Sequence, residues 1–289
     1  LSAGFISTIV LVLIISLLRR YSDQSLFEIN RHLFGDFLGQ AVNFLSLLYL
    51  SFLTVAAFRY FTEFVKLFTL EVTPGAAIGV LIIIPTAYLT WYGLKALTRF
   101  SNIIIAILFF VLVLAFLVLN RIRLTFLMPV GAADLTSLTQ SISPTLLSFI
   151  GLELTAFVYP YVADKKNVLK WVVAANLSAT IFYIIIFLVT TGLFGENLLK
   201  SQIAPLFNLS RYYRMPFIGR VDLFFMLLWF PLLEGTFRAY FFTTYNSIGR
   251  IFSFKNQKVF FGVFVILTIL LSRIPADFIQ AFQLADIVS

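Results

Sequence analysis

Two acidic residues lie inside long apolar runs, and one of them sits in a setting suited to binding a small charged solute. In the stretch "FIGLELTAFVYPYVADKK" at 149–166, Glu153 follows Gly151 closely, and Pro160 comes before a cluster of charges. A carboxylate at the bilayer centre costs about 2.5–3.5 kcal/mol on insertion scales, so it must face protein or water. Glycine allows the helix to unwind, and the freed N–H and C=O groups of discontinuous helices bind solutes in transporters. The pattern predicts a broken helix with a ligand site at Gly151 and Glu153.

Two other interpretations of these acidic residues stay open. Gly151 also suits close helix packing, and Glu153 also suits pairing with a buried arginine. The second acidic residue, Glu234, stands in "WFPLLEGTFRAY" with Arg238 four residues later. This pair can neutralise itself in a low dielectric, which gives Arg238 a structural role. It also leaves Glu234 as a further candidate for ligand binding.

A third charged group lies in "FRYFTEFVKLF", where Arg59, Glu63 and Lys66 are spaced at i, i+4 and i+7. This spacing puts them on one helical face, where opposite charges can pair. The alternative is a helix end at the membrane interface, with long side chains reaching for water. We predict that Arg59 and Glu63 form a structural ion pair.

Several functional classes are excluded by what the sequence lacks. The chain has no cysteine and one histidine, His32, so neither thiolate nor histidine-rich metal sites are expected. It also has no phosphate-binding loop, zinc-protease motif or nucleophile elbow. The net charge of +8 comes from short basic clusters between apolar runs, which does not indicate nucleic acid binding. We therefore expect no enzyme activity, no catalytic residues, no metal and no cofactor.

The elements that carry these residues are predicted to be membrane-spanning helices. Hydrophobic residues make up 61% and charged residues 12% of the 289 positions, against about 45–50% and about 25% in soluble domains. A helix needs about 20 apolar residues to cross the bilayer. The sequence predicts one transmembrane domain over 1–289, with eight spans near 1–18, 37–67, 75–95, 100–120, 144–163, 169–193, 219–251 and 257–273. The charged segment "RRYSDQSLFEINRHLFGD" after the first span is predicted to be a linker. Because Leu1 already lies inside an apolar run, we expect the chain to be truncated at its start.

The loops and one repeated pattern suggest how these spans are arranged. Loops after the first, third, fifth and seventh spans hold more Lys and Arg than the others, which predicts that they are cytoplasmic. The segment "FRYFTEF" in the second span is similar to "FRAYFFT" in the seventh. Spans separated by an odd number of helices have opposite orientations, as an inverted repeat requires. If the second span pairs with the seventh in such a repeat, the fifth span pairs with a helix that would precede Leu1.

With these residues in view, the chain resembles the membrane-embedded B subunit of the endospore germinant receptors. That family is a branch of the amino acid/polyamine/organocation transporter superfamily. The resemblance covers nearly the whole chain. It rests on four segments: "FRYFTEFVKLFTLEVTP", "LMPV", "FIGLELTAFVYPYVADKKN" and "RVDLFFMLLWF".

The resemblance implies an all-α polytopic membrane protein with ten helices in an inverted five-plus-five repeat. This chain would carry helices two to nine and lack the first and last. In the superfamily, helices one and six form the small-molecule site. The helix-six half is present here, with Phe149, Gly151 and Glu153 as expected ligand-binding residues and Glu234 as a further candidate.

The implied function is nutrient sensing. A solute such as an amino acid, nucleoside or sugar would bind within the bundle, and the change would pass to partner A and C subunits in the spore inner membrane. One alternative is a permease that couples solute movement to protons or cations, with Glu153 or Glu234 as the carrier carboxylate. Another is a structural scaffold in which both carboxylates are dispensable.

Overall fold

The computed structural model describes residues 2–117, 119–129, 131, 134–212, 221–252 and 254–274, and their regular secondary structure is helical. The α-helices in that part of the chain are α1 (Ser2–Arg20), α2 (Leu26–Phe68), α3 (Gly75–Trp91), α4 (Leu94–Leu117), α5 (Leu135–Leu146), α6 (Leu154–Val158), α7 (Val168–Lys200), α8 (Pro205–Tyr212), α9 (Val221–Phe252) and α10 (Gln257–Leu271). Short 3-10 turns occupy Leu119–Arg121, Leu124–Leu127, Leu147–Phe149 and Tyr159–Tyr161.

In the part of the chain that the structure describes, four segments are long and apolar enough to cross a membrane, namely Ser2–Arg20, Leu26–Phe68, Leu138–Tyr161 and Val168–Lys200. Two shorter apolar helices, α3 and α10, add to them. These features indicate an all-helical, multi-pass membrane protein. The eight-span count, the single domain and the five-plus-five repeat stay predictions. Position 118 in the fourth expected span, positions 219–220 at the start of the seventh, and the tail at 275–289 lie outside the described residues.

Helix α2 begins earlier than the expected second span, which starts at 37. The side chain of Ser25 accepts a hydrogen bond from the backbone N–H of Glu28, and the carboxylate of Glu28 accepts one from the N–H of Ser25. This reciprocal capping box starts a helix within the charged segment that the sequence suggested was a linker. Gly35, with φ of 76°, then interrupts the helix. In α5, Pro144, the expected start of the fifth span, lies inside the helix.

The chain forms two compact units. The first unit consists of Leu1–Ile9, Ser101–Phe149 and Trp171–Leu232. Within it, the amide of Asn176 on α7 donates hydrogen bonds of 2.9 Å to the hydroxyls of Ser7 and Thr8 on α1. These polar contacts fasten α7 to the start of α1, since buried amide and hydroxyl groups within a membrane seek partners on neighbouring helices.

The second unit consists of Val10–Phe100, Ile150–Lys170 and Leu233–Ser289. Its core brings together Leu50 and Leu53 of α2, Leu154 of α6 and Tyr240 of α9. Nearby, the hydroxyls of Thr54 and Thr244 lie 2.8 Å apart and join α2 to α9. This unit therefore holds α2, α6 and the second half of α9 against one another.

Candidate functional site

The transmembrane segment that carries the FIGLE sequence is broken in the middle. Helix α5 ends at Leu146, a 3-10 turn covers Leu147–Phe149, and α6 does not begin until Leu154. Gly151 adopts φ of +105°, a conformation that side-chain-bearing L-residues rarely take. The break therefore depends on the glycine.

The carboxylate of Glu153 lies at this break and accepts three hydrogen bonds. The hydroxyl of Tyr49 on α2 donates to Oε1 over 3.2 Å, and the hydroxyl of Tyr240 on α9 donates to the same oxygen. The backbone N–H of Gly151 donates to Oε2 over 3.1 Å. One acidic side chain thus links the broken segment to two long helices of the second unit.

The surroundings of Glu153 are largely apolar. Leu50, Leu53, Leu154 and Tyr240 are all buried around it, and Glu153 itself is half-buried. Within the described part of the chain, no lysine or arginine forms an ion pair with this carboxylate. Among the described residues, its hydrogen-bond donors are two hydroxyls and one backbone N–H. Such a group can receive the positive end of a solute or hold a proton.

Glu234 has a different environment. The hydroxyl of Thr86 on α3 donates a hydrogen bond to its Oε1, and Nη1 of Arg238 lies 3.6 Å from its Oε2. The side chain of Arg238 is 2% exposed, and its guanidinium carbon lies 4.6 Å from the ring centroid of Phe100. Glu234 is thus already paired with a cation, in contrast to Glu153. Its role in ligand binding stays a prediction.

The charged face on α2 contains a second ion pair. Nη2 of Arg59 lies 3.0 Å from Oε1 of Glu63, and the two side chains are 16% and 15% exposed. Both residues belong to the second unit. The low exposure means that water screens this pair less than it screens a surface pair.

Phe149 belongs to the first unit. Its ring meets that of Tyr183 on α7 edge to face, with centroids 5.5 Å apart. The hydroxyl of Tyr183 donates to the carbonyl of Ser148 over 2.9 Å. These contacts hold the turn before the break against α7. Gly151, Glu153 and Glu234 all belong to the second unit.

Two residues of this site, Tyr49 and Tyr240, are missing from the sequence-based prediction. Both stand in aromatic-rich apolar runs. A usable signal existed, because a buried tyrosine hydroxyl needs a hydrogen-bond partner and a membrane interior offers few. Sequence alone does not tell which of the 12 tyrosines has that partner.

The basic cluster after the break ties the loop before α7 to the end of α1. Nζ of Lys165 binds the carbonyl of Ser22 and lies 3.3 Å from the carboxylate of Asp23. Arg19 donates a hydrogen bond of 2.9 Å to the carbonyl of Lys166. In the same exposed loop, hydrogen bonds from Asn167 hold the pKa of Asp164 below its usual value. These contacts anchor the end of the broken segment to the end of α1.

The described residues contain no cluster of three or more His, Asp or Glu side chains that could hold a metal ion. The available chemistry at the break is that of one carboxylate, two phenols and backbone dipoles. This combination can bind and orient a polar solute or exchange a proton.

Comparison with known proteins identifies relatives along almost the entire chain. A family model described as spore germination protein matches residues 1–277. The chain is 26% identical over 294 residues to spore germination protein YndE of Bacillus subtilis (strain 168), which covers 100% of this chain and 80% of that protein. It is 27% identical over 263 residues to spore germination protein B2 of the same organism, covering 88% and 70%. It is 24% identical over 229 residues to spore germination protein GerQB of Bacillus cereus, covering 78% and 62%.

Proposed function

This chain belongs to the spore germination protein family, and we propose that it is the membrane-embedded, nutrient-binding subunit of a germinant receptor in the spore inner membrane. Family membership supports a role in germination, and the family is not one of enzymes. The proposal adds three elements to that role: a bound small solute such as an amino acid, a site at the helix break, and transmission to partner A and C subunits.

One observation carries the proposal. The carboxylate of Glu153 sits at a glycine-dependent break in a membrane-spanning segment and has hydrogen-bond donors but no ion-pair partner in the described chain. Keeping an acidic group at this depth without a basic partner has a free-energy cost, so its retention points to an interaction made with a ligand. A solute with a positively charged group, such as the ammonium of an amino acid, would offset that cost.

The hydrogen bonds of Glu153 suggest how binding would be transmitted. A cationic group that approaches Oε1 competes with the hydroxyls of Tyr49 on α2 and Tyr240 on α9. Weakening either bond changes how firmly the broken segment is held to those helices. A ligand shifts an equilibrium between two arrangements only by its difference in affinity for them, and this competition supplies such a difference. The partner subunits would read the resulting change in helix contacts.

The test is the substitution Glu153→Gln in the intact receptor. Glutamine keeps the size of the side chain and one acceptor oxygen but removes the charge. We expect the nutrient response to be lost or shifted to higher nutrient concentration while the amount of protein in the spore membrane stays normal. The matched control is Glu196→Gln, because Glu196 is exposed on α7 and pairs with Lys200. A normal dose response at normal abundance for Glu153→Gln removes Glu153 from the ligand site.

A proton- or cation-coupled amino acid permease is the second candidate. The observation that favours it is the same unpaired carboxylate, because an acidic group held by neutral hydroxyls can take up and release a proton during transport. Labelled-nutrient binding to the purified protein, compared with uptake into vesicles that contain it, separates the two. A sensor binds without net uptake, whereas a permease accumulates the solute and loses uptake on Glu153→Gln.

The scaffold alternative makes a third, distinct prediction. If the subunit only holds its partners in place, neutralising Glu153 or Glu234 leaves both the nutrient response and the dose dependence unchanged. Substitutions on the surface that contacts the partners would then be the ones that abolish germination.

A further inference from the structure

Two adjoining grooves lie where α9 ends and α10 begins, in the second unit and away from the helix break. The first groove, of about 490 Å³, is lined by polar groups that include Asn246, Arg250 and Gln257. The second groove, of about 510 Å³, has an apolar wall and carries Lys255 on its lining. Phe254 and Phe260 line both grooves and stack with their ring centroids 4.2 Å apart. The stacked pair therefore forms a ridge between a polar groove and an apolar groove.

The apolar groove extends along α10 from its first turn. Val259, Val263 and Leu267 line it at intervals of four residues, which covers about 12 Å at 1.5 Å per residue. All three side chains are exposed, at 60%, 48% and 47%. In a membrane such a surface meets lipid chains, and its length is most of the roughly 15 Å that one leaflet contributes to the hydrocarbon core.

The charged end of the grooves lies at the level expected for headgroups. Arg250 stands in the last turn of α9, and Lys255 lies two residues before α10 begins. The guanidinium of Arg250 rests 4.9 Å over the ring of Tyr161, and its Nε donates to the hydroxyl of Tyr161 over 3.2 Å. This contact fixes the direction of the cation. Among the described residues that line the two grooves there is no acidic side chain, whereas Glu28 lies close enough to Arg250 to interact with its charge and lines the neighbouring cavity with it.

We propose that this pair of grooves is a binding site for an anionic phospholipid of the bilayer, with the phosphate held between Arg250 and Lys255 and one acyl chain in the apolar groove along α10. Any lipid covers an exposed apolar groove, so the apolar wall alone gives no selectivity. The two cations select a negatively charged headgroup, and basic pockets between membrane helices on the cytoplasmic side bind such lipids. The loop between α9 and α10 belongs to the set with the larger number of basic residues.

The experiment is native mass spectrometry of the intact purified chain titrated with phosphatidylglycerol or with phosphatidylcholine. We expect one phosphatidylglycerol to bind in preference to phosphatidylcholine. Each basic residue beside the bound headgroup contributes a factor of about five to anionic-lipid affinity. The double variant Arg250→Gln/Lys255→Gln should therefore lower the preference roughly 25-fold. The control Lys95→Gln/Arg99→Gln removes the same two charges from another loop of the same predicted side and should change the preference less than twofold.

A second pair of variants tests the acyl groove. Val263→Trp fills the groove and should lower binding of both lipids, whereas Ile266→Trp, at an exposed position on α10 that does not line the groove, should not. Thermal unfolding without lipid identifies any variant that misfolds. The comparison that does not include that variant, either the two double variants or the two tryptophan variants, then decides the outcome. Soluble glycerol phosphate serves as a competitor without an acyl chain.

Four results would overturn the proposal. They are equal binding of the two lipids, an equal loss of preference in the control double variant, equal effects of the two tryptophan variants, and full competition by glycerol phosphate. The grooves are a protein-docking surface instead if the chain shows no preference between the two lipids and the Arg250→Gln/Lys255→Gln variant no longer co-purifies with another receptor subunit.

Discussion

Replacing Tyr240 by phenylalanine removes the hydrogen bond that links α9 to the carboxylate at the helix break. Hydrogen bonds between neutral groups inside membrane proteins contribute about 0.6 kcal/mol on average. A bond to an ionised acceptor is roughly twice as strong. Tyr240 is 1% exposed, so water does not replace the lost hydroxyl. We expect Tyr240→Phe to destabilise the protein by about 1–2 kcal/mol, a factor of roughly 5–30 in the unfolding equilibrium.

A double-mutant cycle isolates this bond from other effects of the substitution. The second variant is Glu153→Met, which keeps the length of the side chain and removes both oxygens. The interaction free energy from Tyr240→Phe, Glu153→Met and the double variant should be about 1–2 kcal/mol. The assay is reversible unfolding in mixed micelles, followed by tryptophan fluorescence. Tyr245→Phe is the control, because its hydroxyl makes no hydrogen bond within the described residues and should change stability little.

Two results of the cycle would refute the reasoning. An interaction free energy near zero means that Tyr240 does not hold Glu153 in the native state. A value near about 0.6 kcal/mol is that of a neutral pair, and it would mean that Glu153 carries a proton at the pH of the assay. The second result would weaken the solute-ammonium proposal and strengthen the permease alternative.

Three further predictions concern other parts of the second unit. Gly151→Ala should cost about 1–3 kcal/mol because φ of +105° strains any side chain there, whereas Gly262→Ala in α10 should be neutral or stabilising; thermal unfolding compares them. Thr86→Val should cost about 1.5–3 kcal/mol in the same assay, because it removes a donor from a buried carboxylate on α9. Reversing the charge of either Arg59 or Glu63 alone should lower the free energy of unfolding by about 3 kcal/mol and reduce the abundance of the protein. Swapping the two residues should restore much of that abundance.

The controls for these predictions come from the same helices. Thr90→Val tests the hydroxyl on the next turn of α3, which is buried and has no partner among the described residues, so its removal should be harmless. Equal losses in Thr86→Val and Thr90→Val would show that the hydrogen bond to Glu234 is not the cause. A swap of Arg59 and Glu63 that lowers abundance as much as either single change argues against pairing.

Features that depend on neighbours along the chain could be predicted from the sequence. The apolar runs define membrane helices because crossing a bilayer is a matter of length and composition. The i, i+4 spacing of Arg59 with Glu63, and of Glu234 with Arg238, places each pair within reach on one helix. Gly151 marks the break because it alone among nearby residues tolerates a positive φ.

The start of α2 shows how a local signal was overlooked. Ser25 and Glu28 form a capping box, which is readable from sequence at the spacing of three residues. The dense charge around them favoured a linker instead. The helix forms because the reciprocal hydrogen bonds satisfy its first free N–H groups, regardless of how polar the segment is.

The partners of Glu153 could not be predicted, because they come from distant parts of the chain. Tyr49 and Tyr240 meet at one carboxylate oxygen only after α2, α6 and α9 pack together. Likewise, the contact of Phe149 with Tyr183 of α7 could not be predicted from the sequence, and the ligand-binding role that the resemblance implies for Phe149 stays a prediction.

By itself, the sequence determined a membrane-embedded helical chain, a break at Gly151 and an acidic residue beside it, since these follow from hydrophobicity, backbone freedom and spacing within a few residues. Only the tertiary structure decided that the hydroxyls of Tyr49 and Tyr240 reach Glu153, while Glu234 accepts a hydrogen bond from Thr86 of another helix besides its pairing with Arg238. That difference depends on which side chains from remote helices reach each carboxylate, and packing geometry sets it.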